Sequence, residues 1–338
     1  MSSLNTSMSD QDEMTMTFED YVRIIVPTIF GVICVLGVFG NSLVIIVVLT
    51  DKHMRNTTNI LILSLALADL LFLVCCVPFT AVNYAVNVWP FGNFGCKLTE
   101  YAMYVTAYAS VYTLVIMTIT RYIAVVMPLR SLTLLNTRNT LFAIFFIWII
   151  ILSGNSPIFL QFGEFLYVFQ NETRSACLNL QELEDPVSGQ VFFGFFFVIG
   201  YFIPLAVITL LYGRILIRLR CADVPGDCKQ SRAENIRMKR SVTKMVVIVV
   251  IVFAVCWMPI QIRLFADRLG ADNDSIIYTC ILFASNCLAY VNSCVNPILY
   301  AFLSDSFRQS FKRLLCCKRS SQLYQTPRSR SITRSSQC

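Results

Sequence analysis

The chain has a single histidine, His53, in 338 residues, and only 14% of its residues are charged. About a quarter is usual for a soluble domain, so a charge content this low excludes an ordinary water-facing surface. One histidine excludes a His-based zinc cluster and a Ser-His-Asp triad, and His53 itself sits in a polar loop. Asp69 is the one acidic residue deep in an apolar run, so an aspartate-pair site is missing as well. Neither catalysis nor a cofactor is expected. The first 20 residues are polar and acidic, without the basic start and short apolar core of a cleaved signal peptide. The first apolar run is therefore expected to act as the membrane anchor. Internal repeats with paired broken helices, the mark of many transporters, are absent.

Hydrophobic residues make up 56% of the chain. A membrane helix needs roughly 20 apolar residues, and seven runs meet that length, at about 22–50, 58–86, 95–127, 139–160, 190–219, 241–268 and 275–303. The fold class is thus an all-α membrane protein, a seven-transmembrane helix bundle over 22–303. Residues 1–21 form an N-terminal tail, 304–317 a short amphipathic eighth helix, and 318–338 a tail whose composition leaves it disordered.

Lysine and arginine gather on the cytoplasmic side of membrane proteins. With the N-terminus outside, 22 of the 27 basic residues fall in cytoplasmic segments and adjoining helix ends; Arg23, Lys97, Arg174, Arg263 and Arg268 are the exceptions. Acidic residues lean the other way, 14 of 20 being on the outer side. An acidic mouth favours a cationic ligand, although it also serves loop solubility. Basic residues so placed call for no nucleic-acid partner. Of 14 cysteines only Cys96 and Cys177 lie in outer segments, where pairing is favoured; a bridge closing that loop contributes about 4 kcal/mol in the chain-entropy model. Outer sequons at Asn5 and Asn171 are expected to carry glycan, and the inner one at Asn56 is not.

Ionisable groups inside spans are costly and mark function. Asp69 in "LSLALADLLF" has no basic residue at its depth. Ser110, Asn292, Ser293 and Asn296 can face it, with the asparagines four apart on one helix face. Carboxylate, hydroxyl and amide oxygens suit a small hard cation with water; a protonated Asp69 in a structural network satisfies the same residues. Pro27, Pro78, Pro157, Pro204, Pro259 and Pro297 lie within spans, where each removes a backbone hydrogen bond and loosens its helix. "CWMPI" and "NPILY" place Trp257 and Tyr300 beside two of them. In "SDSFRQSFKRLLCCKR", Phe307, Phe311, Leu314 and Leu315 make one face and Arg308, Lys312 and Arg313 another, a helix lying on the inner leaflet. Cys316 and Cys317 follow, where palmitoylation would add a second anchor.

These residues carry a family resemblance. The chain resembles the rhodopsin-like (class A) G-protein-coupled receptors over about 22–317, through "GNSLV" with Asn41, "LALAD" with Asp69, Cys96, "TRY" at 120–122, Trp148, Pro204 with Tyr212, "CWMP" and "NSCVNPILY". The resemblance implies a plasma-membrane receptor, with an extracellular N-terminus, a cytoplasmic C-terminus, and heterotrimeric G protein, arrestin, receptor kinases and membrane lipid as partners. It implies that Arg121 meets the G protein and, on activation, Tyr212 and Tyr300. It likewise implies Leu129 as a second G-protein contact. Asp69, Ser110, Asn292, Ser293 and Asn296 match the family's sodium site, the ion acting as an allosteric modulator. Trp257, Phe253, Pro204 and Val111 match its relay, and Asn296, Pro297 and Tyr300 its switch in the seventh span.

Within the family, Met103 stands where amine, opioid and somatostatin receptors place an aspartate, and the seventh span lacks the opsin lysine. "VVMPLRSL", "FLSDSFR" and "NETRSACLN" look most like the galanin and allatostatin-A receptors, which implies a short, usually amidated neuropeptide and Gi/o coupling. Another peptide, or a non-peptide ligand, is the alternative. Glu100, Met103, Tyr104 and Ala107 share one side of the third helix, and Phe196, Gln261, Leu264, Phe283 and Asn286 are expected to face the same cavity. Gln261 and Asn286 would meet the amide terminus, Glu100 and Asp267 any basic residue; interhelical packing explains the aromatics equally well. The chain departs from the family beside Arg121, where Thr120 replaces the usual acid. The stretch "RMKRSVTK" of the sixth helix supplies no acid either, so Arg121 is expected to be loosely held and basal signalling raised.

Overall fold

The computed structural model describes residues 2–86, 88–169, 172–221, 229–268 and 276–315. Seven helical segments are long and apolar enough to cross a membrane: Asp20–Thr50, Thr57–Val86, Gly92–Val126, Thr137–Gln161, Val187–Leu219, Thr243–Leu264 and Ile276–Leu303, spans 1 to 7. Their ends agree with the expected runs to within four residues. Large apolar side chains stand exposed around the outside, among them Val35, Leu36 and Phe39 on span 1 and Phe145, Phe146 and Ile150 on span 4. Such a surface suits lipid and would be an aggregation hazard in water.

Inside, Leu61, Leu65, Leu114, Met117 and Ile215 anchor the larger core cluster, and Phe30, Phe72, Leu73, Val77 and Tyr290 a smaller one between spans 1, 2 and 7. Two glycines set how closely span 1 approaches. A Cβ on Gly37 would meet Leu73 Cδ1 at 2.5 Å and Cys294 Sγ at 2.6 Å, and one on Gly40 the Pro297 ring at 3.1 Å. The approach lets Asn41 Nδ2 donate to the Ser293 carbonyl at 2.9 Å, tying span 1 to span 7.

The six prolines divide into two groups. Pro78, Pro157 and Pro204 coincide with breaks: span 2 turns at Cys76, span 4 stops at Gly154 and resumes at Ile158, and span 5 passes through a π-helical turn at Val198–Phe202. Pro27, Pro259 and Pro297 sit inside continuous helices. In span 5 the wider register has a local cause and a local remedy. Ile203 N–H reaches back to Val198 O, and in that register Pro204, having no N–H, leaves Ile199 O short of a donor. The Tyr112 hydroxyl supplies one at 3.1 Å.

The segment between spans 4 and 5 adds something periodicity did not suggest, a hairpin of β1 (Phe162–Phe169) and β2 (Glu172–Asn179) in antiparallel register with Glu164 opposite Cys177. The Cys96–Cys177 disulfide is present, Cα–Cα 5.4 Å, pinning β2 to the start of span 3. Trp89 and Ser175 exchange two further hydrogen bonds. After span 7 the eighth helix runs Asp305–Leu315. Its phenylalanines correct the expectation of a leaflet-facing apolar side: Phe307 and Phe311 are buried in the protein, Phe307 against Tyr300 with centroids 5.6 Å apart. Leu314 remains exposed. Ser310 Oγ donates to Asp51 at 2.9 Å, fastening this helix to the end of span 1.

Candidate functional site

Asp69 is 1% exposed at the centre of the bundle. Ser293 Oγ donates to its Oδ1 at 2.9 Å and Asn296 Nδ2 to its Oδ2 at 2.8 Å, so span 7 meets the carboxylate with two donors one turn apart. Ser110 lies within reach from span 3. Of the residues grouped with Asp69 in the sequence, the fold brings Ser110, Ser293 and Asn296 to the carboxylate. Asn292 and Asn296 are buried, and the Oδ1 of each has no hydrogen-bond partner. A carboxylate, two hydroxyls and the unpartnered Oδ1 of Asn296, whose amide nitrogen already meets Asp69, are the donor set a hard cation takes, so these residues fit a sodium ion. Among the described residues no cluster of three His, Cys, Asp or Glu side chains occurs.

At the other end of span 3, Arg121 is partly buried. Its Nε has no hydrogen-bond partner, and among the described residues no ion pair reaches it. Thr120 does not help: its hydroxyl donates to its own helix, to Met117 O at 2.8 Å. Tyr212 is buried and comes into electrostatic range of Arg121, its hydroxyl unpartnered. Tyr300 is fully buried with an unpartnered hydroxyl and packs on the eighth helix. Leu129, 84% exposed just beyond span 3, is free for a contact outside the chain.

Between these levels Trp257 lies against Phe253 (5.8 Å between centroids) and Phe72 (6.2 Å), its indole N–H buried without an acceptor. Val111 and Pro204 are buried. Tyr201 on span 5 donates to Ala254 O on span 6 at 2.8 Å, a cross-span bond one turn from Trp257.

Towards the disulfide end the expected ligand residues separate into two groups. Tyr104 and Phe196 meet edge to face at 4.9 Å and line a cavity of about 480 Å³ between spans 3, 4 and 5. Met103 and Phe283 pack with the smaller core cluster on the opposite flank. Asn286 Nδ2 donates to Tyr84 Oη there at 3.5 Å. Ala107 is buried and Leu264 half-buried in the larger cluster. Gln261 is 4% exposed with an unpartnered Oε1, a group that awaits a donor. No cation pairs with Glu100 among the described residues. The side chains of Asn5 and Asp267 and all of Asn171, Cys316 and Cys317 lie outside the described residues. Sequence reasoning missed Tyr84, Tyr108 and Gln161; the tyrosines sit at helical spacing from Thr80 and Tyr104, but nothing in composition separates them from packing.

A family model described as 7 transmembrane receptor (rhodopsin family) matches residues 40–300. An allatostatin-A receptor of Bombyx mori is 45% identical over 302 residues, 88% of this chain and 81% of the relative. A galanin-like G-protein coupled receptor, npr-9, of Caenorhabditis elegans is 40% identical, covering 89% and 75%. The galanin receptor type 1 of Homo sapiens is 35% identical, covering 93% and 87%. With seven spans, the bridge from span 3 to the hairpin and these matches, the chain belongs to the rhodopsin family of seven-transmembrane receptors, multi-pass proteins of the plasma membrane.

Proposed function

We propose that the chain is a receptor for a short extracellular neuropeptide, amidated at its C-terminus, signalling through heterotrimeric G proteins of the Gi/o class. The observation that carries the reading is the 45% identity to an allatostatin-A receptor across 88% of the chain. The N-terminus lies outside and the C-terminus in the cytoplasm, as the distribution of basic residues favours. Gln261, buried with a free acceptor, and Asn286 meet the amide terminus. Glu100 and Asp267 meet basic groups of the peptide, and Met103, Tyr104, Ala107, Phe196, Leu264 and Phe283 supply apolar contact.

Trp257, with Phe253, Val111 and Pro204, relays ligand contact to Arg121 through the loosely bonded stretch of span 5. Arg121, Tyr212, Tyr300 and Leu129 form the G-protein end, with Asn296 and Pro297 between. Asp69, Ser110, Asn292, Ser293 and Asn296 would hold sodium, whose positive charge balances the carboxylate. Arrestin and receptor kinases act on the same cytoplasmic face. Asn5 and Asn171 carry glycan, and Cys316 and Cys317 carry palmitate.

The test is a panel of amidated neuropeptides applied to cells expressing the chain, read as suppression of cAMP. At least one peptide should act at nanomolar concentration, and its free-acid form at least tenfold less potently. Silence across the panel with a response to an amine or lipid would overturn the peptide assignment.

A further inference from the structure

Spans 4 and 5 part company at the disulfide end. Among the described residues the extended packing of span 4 is against spans 2 and 3, and its helix is interrupted over 155–157 before Ile158. The 480 Å³ cavity occupies the gap, a size within the range of small-molecule sites. Its exposed rim is polar at the hairpin end, where Gln181 and Asp185 stand, and apolar along span 5, where Val187, Val191 and Phe195 are 61%, 66% and 61% exposed. A Cβ added to Gly154, across the mouth, would meet nothing within 4 Å. The floor is the aromatic cage of Tyr104, Tyr108, Phe192 and Phe196. The apolar edge along Val191 and Phe195 thus suits acyl chains, and the floor includes Tyr104 and Tyr108 of span 3.

The polar groups of the wall define what can enter. Gln161 Oε1 is buried and has no hydrogen-bond partner, an acceptor lacking a donor, which costs free energy until one arrives. Gln181 and Ser188 stand at the same end. Among the described residues no lysine or arginine lines the cavity, and the one charged residue is Asp185, whose Oδ1 already accepts from Val187 N–H at 3.0 Å. An anionic head group would be stripped of water with no cation to meet it. An uncharged hydroxyl on an apolar body satisfies Gln161 and fills the gap.

We propose that this gap is a lateral site for an uncharged, hydroxyl-bearing membrane lipid, which enters between spans 4 and 5, donates to Gln161 Oε1 and rests on Tyr104 and Phe196. Those two residues also belong to the proposed peptide pocket, so occupancy adjusts how the receptor meets its peptide. Sterols and monoacylglycerols share the required chemistry.

The test uses the full chain in phosphatidylcholine nanodiscs, without peptide, with photoreactive cholesterol and photoreactive monoolein in separate arms, labelled residues being mapped by mass spectrometry. Saturable labelling over 154–161 and 187–196 is expected in at least one arm, competed by the unlabelled lipid and not by oleate; the arm that labels identifies the source. Val191→Trp, which plugs the mouth, should lower labelling at least fivefold. Gln161→Leu, which keeps the shape and removes the acceptor, should lower it at least threefold. Labelling that fails to saturate, that is equal at Val35, Leu36 and Phe39 of span 1, or that survives Gln161→Leu would overturn the proposal. Should Val191→Trp fail to fold, Gln161→Leu decides alone. None of these readouts involves a peptide, so failure here leaves the peptide assignment standing.

Discussion

Asp69 and Arg121 are both ionisable groups within membrane spans, and the fold treats them in opposite ways. Asp69 accepts two hydrogen bonds from span 7 at 2.8 and 2.9 Å, while Arg121 has, among the described residues, neither a carboxylate nor a hydrogen bond. A carboxylate needs only donors, which uncharged serine and asparagine provide. A guanidinium carries five N–H donors and accepts nothing, so it needs acceptors, and among the described residues the neighbouring Thr120 hydroxyl, which donates to Met117 O, is not hydrogen-bonded to it. One charge holds the fold together and the other is left available. The two should therefore respond to mutation with opposite signs.

The largest effect is expected from Asp69→Ala. It strands the Ser293 hydroxyl and the Asn296 amide, each a buried donor worth about 1–3 kcal/mol when unsatisfied. A melt of the purified receptor followed with a thiol-reactive dye should fall by on the order of 10 °C, and stabilisation by added sodium should vanish with it. Asp69→Asn, which keeps one acceptor, should lose less. An unchanged melting temperature would break the claim that Asp69 ties span 2 to span 7.

Arg121→Leu should go the other way. Removing a half-buried cation that has no carboxylate partner among the described residues is neutral or stabilising, by about 1 kcal/mol, while guanine-nucleotide exchange on G protein drops at least tenfold. A loss of stability as large as that of Asp69→Ala would mean that a carboxylate or carbonyl holds the guanidinium after all.

The third prediction restores what the sequence omits. Thr120→Asp places a carboxylate next to Arg121, and a partly exposed pair of this kind is worth about 1 kcal/mol, which lowers the active population roughly fivefold. Basal exchange should fall by that factor. An unchanged basal rate would show that Arg121 is not freed by the missing acid.

The Asp69 cluster was legible because its chemistry and its helical spacing agree: a lone carboxylate in an apolar run needs partners, and Asn292, Ser293 and Asn296 are polar residues grouped within one turn of another run. The disulfide was legible because topology left two cysteines outside. The separation of the expected ligand residues was not, since Met103 and Tyr104 project about 100° apart around one helix and only the packing of the spans shows that the first meets spans 1, 2 and 7 and the second span 5. The fate of Phe307 and Phe311 was hidden for a similar reason. An amphipathic period shows that a face is apolar, but not whether lipid or the end of span 7 covers it. Tyr112 had no signal at all, because its partner, Ile199 O, becomes available only through the π-helical turn before Pro204.

The smallest effect is expected at Tyr212, and it sharpens the comparison most. Its hydroxyl is buried without a hydrogen-bond partner but stands in electrostatic range of Arg121. Tyr212→Phe removes a hydroxyl whose remaining polar neighbour besides Arg121 is Thr118, itself bonded to Leu114 O, so the melting temperature should move by less than the equivalent of about 0.5 kcal/mol. If the hydroxyl is held for Arg121 in the signalling state, exchange on G protein should still fall two- to threefold. A signalling role predicts coupling as well: in a double-mutant cycle with Thr120→Asp the losses in basal exchange should fail to add, because both changes draw on the same guanidinium. Additive losses would mean that Tyr212 reaches the G protein by a route of its own, and the bare arginine would then have lost its partner.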